Sequence, residues 1–166
     1  MSAVAPGGAG LKPAAARVQA ALAARGLVRE VIELPVEART SQQAADAVGV
    51  HVAQIAKSLV FSVEGEAVMV IASGANRVDE ARLGSLAGGR VRRASPDVVR
   101  DATGYVIGGV APVGHPRPLR IWIDQDLLRH ERIYAAAGLP ECVFPLSPAE
   151  LVAITGGVVV DIAARP

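Results

Sequence analysis

The chain makes its positive charge almost entirely from arginine: fifteen Arg stand against two Lys, Lys12 and Lys57. Lys12 falls in a small, Gly/Pro-rich start, but Lys57 is embedded in Ile55-Ala-Lys-Ser-Leu-Val-Phe61, where an ammonium would be partly desolvated beside a buried strand. A compact charge with three donors suits a phosphate, a carbonyl or a ribose hydroxyl met end-on, where a planar guanidinium fits less well. A strand-edge lysine reaching to water is an equally good structural alternative. The second feature is the stretch 104–115, Gly-Tyr-Val-Ile-Gly-Gly-Val-Ala-Pro-Val-Gly-His, with four glycines, a proline and a histidine. Its backbone must leave strand geometry and expose N–H and C=O groups that can hold a ligand, although a tight turn is the commoner fate of Gly/Pro clusters.

The other reactive side chains are weaker candidates. His115 titrates near neutrality and could serve as acid or base, but a lone loop histidine is more often simply exposed. Asp124 ends a strand and either binds a hydroxyl or caps the helical turn that follows. Arg90, Arg92 and Arg93, with Arg100, form the densest basic group, a phosphate contact or a solvated face. Cys142 lies among apolar neighbours as an inert core thiol. With this single cysteine and three scattered histidines there is no internal disulfide and no zinc-site spacing, so neither metal nor cofactor is expected. GxGxxG after a strand, GxxxxGK[ST], GxSxG and HExxH are all missing, so dinucleotide, P-loop, α/β-hydrolase and zincin chemistries have no motif to stand on.

The elements that must position these residues follow from local signals. Residues 1–12 read as a flexible tail and 13–166 as one domain. Pro13, the Val18/Leu22 pair and Gly26 mark a first amphipathic helix, with a strand over 29–34. Thr40 and Gln43 have capping-box spacing ahead of an alanine-rich helix that Gly49 ends. Residues 55–63 and 67–72 read as a hairpin turning at Glu64-Gly65-Glu66, and the unbroken apolarity of its second arm predicts a central strand buried on both faces, broken at Ser73-Gly74. A helix over 78–86, a short basic strand over 90–93 and a Ser95-capped helix ending at Gly104 come next. In 119–124, Leu119, Ile121 and Ile123 share one strand face and Arg120, Trp122 and Asp124 the other. A helical turn over 126–130, strands over 133–137 and 142–144, a helix opened by Ser147-Pro148-Ala-Glu150 and a last strand over 158–162 complete the chain. No regular βαβ rhythm appears. The fold class is therefore α/β of the α+β kind: a mixed, partly antiparallel sheet with short helices packed on it.

At 166 residues, 51% apolar and 3% aromatic, the chain can close one core of Val, Leu, Ile and Ala. A formal charge of +1 means that any polyanion would be held by a local patch and not by the field of the whole protein. No apolar run approaches the ~20 residues of a membrane helix, and the start lacks a signal-peptide pattern. A reduced, cytoplasmic protein is expected, without a DNA or membrane partner.

Thr40 with the Ala44-Ala45 helix, Ile55-Ala-Lys57-Ser-Leu-Val-Phe61, Thr103 to His115 and Ile121-Trp-Ile-Asp124 together resemble the YbaK/EbsC family over roughly residues 30–162. These are free-standing aminoacyl-tRNA deacylases similar to the editing domain inserted in bacterial prolyl-tRNA synthetases. The resemblance implies a compact α/β fold around a barrel-like mixed sheet, and hydrolysis of the ester joining a wrong amino acid to the 3′-terminal adenosine of a tRNA, tRNA(Pro) first. Lys57 matches the lysine that faces the aminoacyl-adenosine site, and Gly108-Gly109-Val110-Ala111-Pro112 matches the family's G-x-x-x-P loop. Lys57, Gly108 and Gly109 are thereby implied as catalytic, the loop N–H groups holding an oxyanion while water attacks. Substrate contacts are implied for Thr40 and Ser58, for Ser73 and Gly74, for Val110, Ala111, Pro112, Gly114 and His115 along the loop, and for Asp124; Arg90, Arg92 and Arg93 become tRNA-phosphate candidates. The partners implied are the aminoacyl-tRNA acceptor end and prolyl-tRNA synthetase. The chain departs from the cysteinyl-tRNA deacylases of the family after the strand over 133–137, where it reads Gly138-Leu-Pro-Glu-Cys142. Cysteine, alanine, serine, threonine and small non-protein amino acids all stay open, as does a tRNA-acceptor or nucleotide-binding module without hydrolysis.

Overall fold

The computed structural model describes residues 10–35 and 38–165. Of the expected tail, residues 1–9 lie outside the described residues. Leu11 already packs on the core, and Lys12 is the N-cap of helix α1 (Pro13–Ala24) and pairs with Glu141 at 2.6 Å. Val18 and Leu22 are fully buried on the inner face of that helix. Strand β1 is only Ile32–Glu33, shorter than the expected 29–34, because the backbone before it is engaged elsewhere: the Val31 N–H donates to the Gln19 side chain at 3.1 Å, and Val28 is exposed.

Helix α2 (Ser41–Val48) opens with the expected capping box, the Thr40 hydroxyl accepting from the Gln43 N–H, and closes on Gly49 at φ 78°. A 3-10 turn (Val52–Gln54) leads into strand β2 (Ile55–Val63), which turns at Glu64 and Gly65, both at positive φ, into β3 (Glu66–Ser73). Helix α3 (Glu80–Ala87), strand β4 (Val91–Arg93) and helix α4 (Pro96–Thr103) follow. After the glycine-rich loop come strand β5 (Arg120–Asp124), a 3-10 turn (Gln125–Arg129), strands β6 (Ile133–Ala136) and β7 (Cys142–Leu146), helix α5 (Pro148–Thr155) and strand β8 (Val158–Val160).

Among the described residues the eight strands form one mixed sheet in the order β1-β7-β6-β2-β3-β5-β8, with β4 branching off β2. Strand β3 pairs antiparallel with β2 and parallel with β5, so its apolar run is central, and Val68, Met69, Val70 and Ile71 are all fully buried. The two sheet faces feed different clusters. Met69, Ile71, Ile121 and Ile123 pack with α1, Val99 of α4 and Leu151 of α5, whereas Phe61, Val68, Val70 and Trp122 pack with Leu83 of α3. The alternation in β5 thus sorts two interiors, since both of its faces are covered.

The sheet is split beside β2. On the side away from β3, β6 pairs with β2 only at Ile55 and Ala56, and β4 only from Phe61 to Val63. Between these contacts, residues 57–60 run as an interior edge, met on that side by the Ala94 N–H, which donates to Val60 O at 3.4 Å. An unpaired stretch inside a sheet leaves backbone polar groups open to a ligand.

Candidate functional site

A cleft of about 420 Å³ opens at this split, within the range of small-ligand sites. Lys57, Ser58 and Val60 of β2 line it, with Thr40 and Ala44 at the start of α2, Arg77 and Glu80 near α3, Arg93 of β4, Gly108 and Val110 of the glycine loop, and Pro140 from the β6–β7 turn. Lys57 and Ser58 point to opposite faces of the strand, yet both reach the cleft because it passes through the gap.

Burial pushes the Lys57 ammonium below its ordinary pKa of 10.5 and Arg93 adds to the shift, while Asp124 opposes it. The Ser58 hydroxyl is buried and has no partner among the described residues. Its backbone is open as well. Ile55 O accepts from Gly74 N–H on the β3 side at 2.7 Å and Val60 O accepts on the other side, so alternation turns the N–H and C=O of Ser58 into the gap.

The glycine loop reaches the same space through Gly108 and Val110, but not through Gly109. The Gly109 N–H donates to Val106 O at 3.0 Å, and a Cβ on Gly109 would stand 2.6 Å from the Leu139 Cα, so this residue closes a turn against the β6–β7 connection. Gly108 and Val110 do line the cleft, and their N–H groups have no hydrogen-bond partner among the described residues. The unpaired N–H groups of this segment therefore belong to the residues on either side of Gly109.

The remaining expected contacts separate into structural ties and a second surface. Asp124 is completely buried and its carboxylate accepts from the N–H groups of Ser73 and Asp126 and from Asn76 Nδ2, at 3.0, 2.9 and 2.9 Å. The Ser73 hydroxyl donates to Ala53 O at 2.8 Å, and a Cβ on Gly74 would lie 2.6 Å from Val52 O. Ser73, Gly74 and Asp124 thus form a knot behind the Lys57 end of β2 and do not line the cleft. Thr40 does line it, while its hydroxyl is engaged in the cap of α2.

Pro112 and His115 face a separate cleft of about 280 Å³ with Arg25 and Arg117, on the other side of the loop. His115 Nε2 lies 2.8 Å from Ala111 O and burial pushes its pKa below 6.5, so the imidazole braces the loop and lines this second cleft instead of the one that holds Lys57. Neither Ala111 nor Gly114 lines the Lys57 cleft: Ala111 is buried in the core, and Gly114, at φ +83°, leaves room for the Tyr105 hydroxyl. Arg93 reaches the cleft beside Glu80, whereas Arg90 and Arg92 are exposed outside it. Burial raises the Cys142 thiol to about 11, as suits an inert core residue. Among the described residues no group of three or more His, Cys, Asp and Glu is arranged to hold a metal ion, and no helix is long and apolar enough to cross a membrane.

Two features had no counterpart in the sequence reading. One is the split itself; the other is Tyr105, whose buried ring sits at the centre of the loop with its hydroxyl donating to Val113 O at 2.8 Å. A tyrosine directly after the helix-ending Gly104 was the available signal.

Comparison with known proteins agrees with this architecture. A solved structure described as a candidate trans-editing enzyme for prolyl tRNA synthetase is 47% identical and superposes with a TM-score of 0.91, covering 93% of this chain and 99% of that one. YwhH of Bacillus subtilis, an uncharacterized protein, is 34% identical over 123 residues, 74% of this chain and 78% of its own length. The proline–tRNA ligase of Lysinibacillus sphaericus is 32% identical over 90 residues, 54% of this chain but only 16% of the ligase. The profile of the aminoacyl-tRNA editing domain matches residues 36–154, a span holding Thr40, Lys57 and the whole glycine loop, and the chain belongs to that family.

Proposed function

We propose that the Lys57 cleft hydrolyses the ester between a wrong amino acid and the 3′-terminal adenosine of a tRNA. Residues 13–166 act as a free-standing cytoplasmic deacylase domain, with tRNA(Pro) carrying cysteine, alanine or another small amino acid as substrate and prolyl-tRNA synthetase as the enzyme it serves. The observation that carries this reading is the pairing of a half-desolvated lysine with unpaired loop N–H groups across one mainly apolar cleft. Such a site has donors for developing negative charge without a nucleophilic side chain.

In this scheme water attacks the ester carbonyl carbon, placed with the help of the neighbouring ribose hydroxyl. The oxyanion that forms accepts hydrogen bonds from the N–H groups of Gly108 and Val110. The bond from carbonyl carbon to the ribose oxygen then breaks, and the proton given up by water ends on that oxygen. Lys57 holds the substrate and donates to the negative charge that develops on it in the transition state, Ser58 supplies polar groups at the gap, and Arg77 and Arg93 meet the terminal phosphates.

The test is a deacylation panel of Cys-, Ala-, Ser- and Thr-tRNA(Pro) with the purified protein. Ester loss from at least one member is expected. Salt-sensitive tRNA binding with no ester loss from any of them would replace the hydrolase by a non-catalytic acceptor-binding module.

A further inference from the structure

Helix α1 lies outside the span 36–154 that defines the family, yet it is tied to two walls of the cleft. Arg17, an exposed residue of this helix, donates from a guanidinium nitrogen to Gly104 O at 2.6 Å, and its guanidinium carbon lies 4.6 Å from the centre of the Tyr105 ring. Tyr105 in turn donates to Val113 O, closing the loop from its first residues to its last. His115 meets the same ring edge-on at 6.2 Å, and a Cβ on Gly114 would collide with the Tyr105 hydroxyl. The loop is therefore folded around one aromatic ring, and Arg17 holds that ring from outside.

The same helix braces the opposite wall. A Cβ on Gly138 would lie 2.8 Å from Ala14 O, and Lys12 pairs with Glu141 at 2.6 Å, so α1 fixes both ends of the turn 138–141. That turn backs the loop directly, Leu139 against Gly109 and Pro140 against Gly108. Arg17 itself does not line the cleft.

We propose that Arg17 and Tyr105 are positioning residues: together they clamp the loop 104–115 in the shape that turns the Gly108 and Val110 N–H groups to the substrate. The catalytic consequence rests on the hydrolase reading above, whereas the clamp itself does not. A charge-assisted bond to a loop carbonyl and a cation over a buried ring restrain a segment rich in glycine, whose free backbone otherwise samples many conformers. Because Arg17 is exposed, its removal leaves the core intact.

The experiment compares the full-length protein with Arg17→Ala, Arg17→Lys and Tyr105→Phe by amide hydrogen exchange and by deacylation kinetics. In Arg17→Ala the amides of 104–115 exchange faster by about tenfold or more, the factor expected on losing one charge-assisted hydrogen bond, while those of β2 and β3 are unchanged. The same variant loses kcat by a similar factor with little change in KM, since the loop donors act on the transition state. Arg17→Lys, a cation without the planar fork, falls between, and Tyr105→Phe loosens the loop at its Val113 end. Wild-type loop exchange in Arg17→Ala overturns the clamp. A loosened loop with unchanged kcat overturns the positioning role. If the wild-type protein hydrolyses no ester, the exchange measurement still decides the clamp, and the hydrolase reading alone fails.

Discussion

Lys57 is charged at a place where charge is costly, and that cost gives its role a signature separate from activity. Burial depresses its folded-state pKa below 10.5, so between the two values the unfolded chain binds the extra proton and wild-type stability rises with pH across that window. Lys57→Met should therefore abolish most of the hydrolysis, by about 10²–10³-fold for a lost transition-state donor, while melting higher than wild type near neutral pH. The difference in melting temperature closes as pH climbs towards 10.5, and equal melting at neutral pH would show that the ammonium is not desolvated. His115 carries the same sign in a different range. Its folded pKa lies below 6.5, so folding is weakened as pH falls from that value, and His115→Gln should remove this part of the acid sensitivity while keeping the hydrolytic rate. Urea melts at about pH 7 and pH 5 measure the first effect; a large fall in rate would return the imidazole to the mechanism.

At the scale of elements, the glycine loop and α2 are held by contacts that single substitutions test. Gly109→Ala drives a Cβ against the Leu139 backbone, which cannot swing aside as a flexible side chain would. Overpacking of this kind costs about 1–3 kcal/mol, and here it also shifts Gly108 and Val110, so both stability and hydrolysis should fall, as denaturant melts and initial rates will record. Thr40→Ala loses the capping box for about 1 kcal/mol, whereas Thr40→Ser keeps it; equal melts for the two would assign the hydroxyl to the substrate. These local devices were legible in the sequence. Capping boxes at Thr40 and Ser147, the positive-φ stop at Gly104 and the unbroken apolar run of β3 are each written within a few residues. The short β1 was not, because Gln19 and the exposure of Val28 decide it from outside the segment. Nor was the exclusion of Gly109 as a donor, which depends on Leu139.

Across the whole molecule, the site exists because β4 and β6 each cover only part of β2, and no window of sequence contains that mismatch. Arg17 and Gly104, 87 positions apart, show the same limit for the loop: the sequence named the loop, and only the packed structure supplies what holds it. Net charge was similarly blunt. The chain totals +1, yet Arg39, Lys57, Arg77 and Arg93 line the cleft with Glu80, a local excess of cations at the opening. Binding of tRNA should consequently weaken as salt rises, and Arg77→Ala and Arg93→Ala should each lower the slope of log affinity against log salt by ~1. An unchanged slope in both variants would place the phosphates elsewhere, on the Arg90 and Arg92 surface for instance. The central claim is that one cleft, with Lys57 on one wall and the loop N–H groups on another, cleaves the aminoacyl ester. Its most direct test is the first-order loss of ester from mischarged tRNA(Pro) under excess protein, for wild type and Lys57→Ala side by side. Wild-type loss well above the spontaneous rate, with the variant reduced by about 10²-fold or more, is the predicted result; equal rates for the two proteins would contradict the account.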